Sequence, residues 1–119
     1  MTQPFTPGDF LVFQLESGFG LMRLLAIEGD DSHQVFHVAV YEDLFPDVEA
    51  AENIIKDAQS LIFRDAHLAL TSRAFERTPA AMLGNAPLTE AELAGLRQWQ
   101  SSPTPQVFDR SLLLLLGMR

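Results

Sequence analysis

The hydrophobic period of this chain changes once, and that change limits what it can fold into. From Phe10 to Tyr41 the apolar residues alternate with a period of two; beyond Pro46 they recur at spacings of three and four. A period of two is that of a strand, whose successive side chains point to opposite faces, and the longer spacing is that of a helix. Strands first and helices after them fit an α+β fold better than a βαβ repeat or a helical bundle.

The opening segment reads as three strands. In Phe10–Leu15, Leu11, Phe13 and Leu15 share one face and Phe10, Val12 and Gln14 the other, which predicts a strand covered on both sides. Glu16-Ser17-Gly18 is a hairpin turn. The next strand runs from about Phe19 to Glu28, with Phe19, Leu21, Leu25 and Ile27 on one face, interrupted by Arg23. Gly20 inside this pattern predicts a bulge or a close approach by another segment. After the polar turn Gly29-Asp30-Asp31-Ser32, a third strand spans about Gln34 to Tyr41 and completes an antiparallel meander.

The remainder is mostly helical. Asp47 is a good N-cap, and Val48, Ala51, Ile55, Ala58 and Ile62 make the apolar face of a helix of 12–14 residues, with Glu52–Lys56 as an i,i+4 pair. His67–Thr71 reads as a fourth strand, and Thr78–Pro87 as a loop by its Pro, Gly and Asn content. Thr89-Glu90-Ala91-Glu92 is a capping box opening a helix to about Gln100, with Leu93, Leu96 and either Trp99 or Gln100 on its inner side. The tail from Asp109 to Met118 reads as a short helix capped by Asp109, with a terminal strand as the alternative. Its five consecutive leucines leave no wet face, so they belong in the core or in a subunit contact. The expectation is a single α+β domain over residues 1–119: a curved antiparallel sheet or partly open SH3-like barrel, built on the three-strand meander, with about three helices covering one face.

Charge and composition close several doors. The formal net charge is −8, which disfavours sequence-independent binding to nucleic acid, since that needs clustered Lys and Arg to displace counterions. The asymmetry is strong: residues 1–60 carry 11 acidic and 2 basic side chains, a balance of −9, and residues 61–119 carry 5 acidic and 6 basic, a balance of +1. Cysteine is absent, which removes disulfides, thiolate nucleophiles and Cys-ligated metals. The longest apolar run is Leu112–Leu116, far below the about 20 residues of a bilayer span. The opening residues have neither a basic region nor an apolar run of the signal-peptide kind. A cytoplasmic location, without membrane insertion, is the expectation.

Motifs of catalysis and cofactor binding are missing. Gly18-Phe19-Gly20 begins like a dinucleotide fingerprint, but Arg23 stands where the third glycine belongs, and the segment joins two strands instead of opening a helix. No cofactor is expected. His33 and His37 sit four apart in a strand reading, about 13 Å along the chain, too far to share one ion, so no metal site is expected. There is no Gly-x-Ser-x-Gly elbow. A non-catalytic role is favoured. Arg64, Arg73, Arg77, Arg97 and Arg110 are expected to pair with the acidic first half.

Pro7-Gly8-Asp9-Phe10, followed by Gly18-Phe19-Gly20-Leu21-Met22-Arg23-Leu24-Leu25, resembles the opening of small bacterial β-domains of the immunity protein 26 type. The resemblance covers residues 7–27. It implies a small cytoplasmic protein that neutralises a toxin partner, and it carries over no partner-contacting residues.

Two functional expectations follow. The first is a protein-binding module in which Glu42, Asp43, Asp47, Glu49 and Glu52 oppose a basic protein partner; a plain solvated surface is the alternative for each of them. The second is a binder of a small anion, or a small enzyme, with a sheet–helix pocket around Arg23, His37 and Tyr41, which offer a charged fork and two further donors. A homodimer through the apolar C-terminus is a third arrangement.

Overall fold

The computed structural model describes residues 4–118; the first three residues of the stretch read for a targeting signal, and Arg119, lie outside it. Five strands form one open antiparallel sheet: β1 (Asp9–Leu15), β2 (Gly18–Glu28), β3 (Val35–Tyr41), β4 (Phe63–Thr71) and β5 (Ala80–Asn85), in the spatial order β4-β3-β2-β1-β5. The predicted meander is its centre. The sheet is not closed into a barrel, because β4 and β5 are edges that do not meet.

Helices cover both faces, not one. Leu11, Phe13, Met22, Leu24, Phe36, Val38 and Leu70 point to the face roofed by α2 (Ser72–Glu76) and α4 (Leu112–Leu116), through Phe75, Leu112 and Leu116. The opposite face carries two clusters that share Phe63. Phe10, Val12, Leu21, Tyr41 and Phe45 pack under α1 (Val48–Ile54), and Leu25 and Ala39 pack under α3 (Glu90–Ser101) through Leu96. A sheet covered on both sides requires apolar residues at every position of its central strands, which is why β1 shows so little polar alternation.

A bulge corrects one facing. Leu24 pairs with Val38 and Ala26 with His37, so Leu25 is an extra residue in β2. The alternation slips there by one place. Ile27 therefore joins Phe36 in the α2/α4 core instead of sharing a face with Leu21 and Leu25.

Other elements also depart from the sequence reading. The helix after Asp47 ends at Ile54 and continues as a 3-10 segment, Ile55–Ser60, broken at Asp57 (φ −129°, ψ 56°). Asp47 is the N-cap, accepting from the Ala50 amide at 2.8 Å. The break throws Ile62 into solvent, and the Glu52–Lys56 pair does not form. Residues 80–85, read as a loop, form the edge strand β5. An edge strand pairs on one side only and is held by main-chain bonds to β1, so it needs no β-branched or aromatic side chains. Helix α2 arises where the Thr71 hydroxyl accepts from the Ala74 amide at 3.1 Å.

The tail is helical, but Ser111 is its N-cap and Asp109 is not. Asp109 accepts from the Thr71 hydroxyl at 2.6 Å and pairs with Arg73 instead. Nor are all five leucines shielded: Leu112 and Leu116 are buried and Leu114 is 71% exposed. One turn of helix against a sheet always turns a side chain outward.

Candidate functional site

Three groups of polar side chains lie on or beside the α1/α3 face. Arg23 is at its centre, with its side chain 2% exposed. Its Nε donates to the Gly8 carbonyl (2.9 Å), its Nη2 to the Ala86 carbonyl (2.7 Å), and its Nη1 to Glu92. The guanidinium carbon stands 4.0 Å from the centre of the Phe10 ring. Glu92 serves two ends at once. Its Oε2 pairs with Arg23, while its Oε1 accepts from the Thr89 amide (2.9 Å) and closes the capping box of α3. The arginine thus ties the segment before β1, the loop after β5 and the first turn of α3 to the middle of the sheet.

A cavity of about 420 Å³ opens beside it, between the 3-10 segment and the start of α3, walled by Phe10, Arg23, Tyr41, Phe63 and Glu92 among others. Its floor is a ladder of rings, with Tyr41 stacked between Phe10 (6.3 Å) and Phe63 (4.9 Å). Burial pushes the Tyr41 hydroxyl above its ordinary pKa, opposed by the nearby guanidinium. Of the three residues grouped by sequence, Arg23 and Tyr41 line this cavity and His37 does not. Chemically, the guanidinium charge is already met by Glu92, so the cavity presents an ion pair and a phenol in place of an open cation.

His37 belongs to the second group. It is fully buried, with Nε2 2.6 Å from Glu28 Oε1 and Nδ1 2.8 Å from His67 Nε2. The rings of His37 and His67 lie edge to edge along this bond, with centroids 5.1 Å apart and planes 23° from parallel, and the Trp99 ring of α3 meets His37 edge-on at 4.7 Å. Gln100 also donates to Glu28, at 3.2 Å. Burial lowers the His37 pKa, against the opposing pull of Glu28; burial and the neighbouring His37 bring His67 down to about 4. His33, by contrast, is an exposed turn residue beside Asp30 and Ser32. Among the described residues no three His, Asp or Glu side chains converge as metal ligands.

The third group is the acidic segment. Glu42, Asp43, Asp47, Glu49 and Glu52 are all exposed, and Leu44 and Val48 between them are exposed as well. Among the described residues none of the five has a cation within 4 Å. The expected pairing with second-half arginines does not occur: Arg64 meets Asp65, Arg73 meets Asp109 and Arg97 meets Glu90, all within the second half. Asp65 is the chain neighbour of Arg64 and Glu90 shares α3 with Arg97, whereas Arg73 reaches Asp109 across 36 residues.

Glu28, Glu92, His67 and Trp99 were not singled out as site residues by sequence. Arg23 did carry a signal, since a cation in an apolar strand face needs a buried acid. Nothing local says that the acid lies 69 residues away. No protein-family model, no curated protein and no solved structure matches the chain. Among the described residues no helix is long and apolar enough to cross a membrane.

Proposed function

We propose that this chain is a non-catalytic protein-binding module whose segment Glu42–Glu52 engages a basic protein, in the manner of an immunity-type protein that neutralises a toxin in the cytoplasm. The observation that carries the reading is the absence, among the described residues, of any cation pairing with Glu42, Asp43, Asp47, Glu49 or Glu52. Unneutralised carboxylates keep their field, and such a field steers an oppositely charged partner and raises its association rate. Leu44 and Val48 add exposed apolar area within the same segment, and interfaces combine an apolar centre with a polar rim.

The test is association kinetics with the product of the adjacent reading frame. The variant Glu42→Lys/Glu49→Lys/Glu52→Lys leaves the Asp47 cap in place. At low salt it is expected to associate about tenfold or more slowly, with the difference shrinking as ionic strength rises. Equal rates at low salt reject this face.

A second reading, a binder of a small anion in the cavity that joins Arg23 and Tyr41, requires the anion to take the place of Glu92 on the guanidinium. Inorganic phosphate would then raise the melting temperature, and Tyr41→Phe would reduce the gain; no shift with phosphate rejects it.

A further inference from the structure

The groove between α3 and β4 is independent of both readings. It has a volume of about 590 Å³ and is walled by His67, Trp99, Gln98, Ser102, Thr104 and Phe108 among others, within the size range of small-molecule sites. Among the described residues no Asp, Glu, Lys or Arg side chain lines it, on a chain of net charge −8.

The hydrogen-bond chain behind the groove fixes the protons. A carboxylate only accepts, so His37 Nε2 carries the proton of its 2.6 Å bond to Glu28. A neutral His37 then has a bare Nδ1, which accepts. The 2.8 Å bond to His67 is therefore donated by His67 Nε2. A neutral His67 holds one proton, and that proton is spent, so its Nδ1 is left as a lone pair. No hydrogen-bond partner for this nitrogen exists among the described residues, and it is not among the buried unsatisfied atoms. A carboxylate that sets the tautomer of one imidazole through another is the same logic by which outer partners orient catalytic and metal-bound histidines.

We propose that the α3–β4 groove is a binding site for an uncharged aromatic molecule carrying an O–H or ring N–H, which donates to His67 Nδ1 while its ring packs against Trp99. The absence of charged walls excludes recognition of an ion by pairing. The bare nitrogen requires a donor, and the indole and Phe108 supply apolar area for a ring. Trp99 itself is held in place, its Nε1 donating to the Gln106 carbonyl at 2.7 Å.

The test uses two probes of nearly the same shape, phenol and anisole, of which only phenol donates. Trp99 is the sole tryptophan, so its fluorescence reports on the groove alone, and nitrogen NMR of the histidine rings reads the tautomer directly. In the unliganded protein His67 is expected to carry its proton on Nε2. Phenol is expected to bind roughly five- to tenfold more tightly than anisole, as one added hydrogen bond would give. The preference should vanish in His67→Phe and weaken in Glu28→Gln, which no longer dictates the His37 tautomer. A proton on Nδ1 of His67 in the wild-type protein overturns the proposal without any variant. So does equal binding of the two probes, or no binding of either.

Discussion

Arg23 and Glu92 form an ion pair across 69 residues of chain, between the middle of β2 and the first turn of α3. The arginine side chain is 2% exposed and the glutamate 23%. Removing one partner of a buried pair strands the other charge, at a cost of about 3–5 kcal/mol. Glu92→Gln separates this from capping, because glutamine still serves a capping box. We expect Glu92→Gln to be destabilising by an amount near that range and Glu90→Gln, on the exposed side of the same turn, to stay within about 0.5 kcal/mol. Urea unfolding of the two variants compares them, and equal stability would mean that the pair contributes little.

His67 gives the fold a pH dependence whose sign follows from its pKa of about 4. An unfolded histidine titrates near 6.5. Between those values the unfolded chain takes up a proton that the folded chain refuses, so stability falls as pH drops through the window. The lowered His37 pKa acts in the same direction. The urea midpoint of the wild-type protein should therefore fall between about pH 7 and about pH 5, before most carboxylates titrate. His67→Gln can still donate to His37 but does not titrate, and its midpoint should fall less. Parallel pH profiles for the two proteins would show that the pair is not the source.

What could be read from the sequence divides along the range of the interactions. The hairpin at Gly18, the N-cap at Asp47 and the box at Thr89 and Glu92 depend on residues within four positions, and each stands where the sequence puts it. Strand β5 was hidden because an edge strand needs only a neighbour's backbone, here that of β1, more than 60 residues earlier. The flip of Ile27 depends on one extra residue at Leu25, and periodicity has no way to show a bulge that leaves both neighbours apolar. The candidate sites follow the same division. The acidic segment is contiguous and was visible. The Glu28–His37–His67 chain joins β2, β3 and β4 and needed the sheet order before its members could meet.

Gly20 pairs with Phe13 across the β1–β2 ladder, and a methyl group on Gly20 would overlap the Phe13 ring. The close approach that the sequence suggested for this glycine is thus an aromatic ring laid over bare backbone. Gly20→Ala must displace a buried phenyl group, which costs about 1–3 kcal/mol by overpacking. Phe13→Leu in the same chain makes room, so the double variant should lose less than the two single variants added together. A double-mutant cycle in urea measures the coupling. Strict additivity would mean that the ring can move aside freely.

The leucine run at the C-terminus gives a comparison at constant chemistry. Leu112 is 1% exposed, inside the core that contains Phe36, Leu70 and Phe75, and Leu114, two residues on, faces outward. Truncating a buried leucine removes transfer energy and leaves a cavity, together about 2–5 kcal/mol. Truncating an exposed one changes stability by no more than about 0.5 kcal/mol. Leu112→Ala should therefore lower the urea midpoint strongly, and Leu114→Ala should leave it nearly unchanged at every protein concentration. If Leu114→Ala were as costly as Leu112→Ala, and the loss grew with protein concentration, Leu114 would be buried against a second copy. The apolar tail would then act in association as well as in the core.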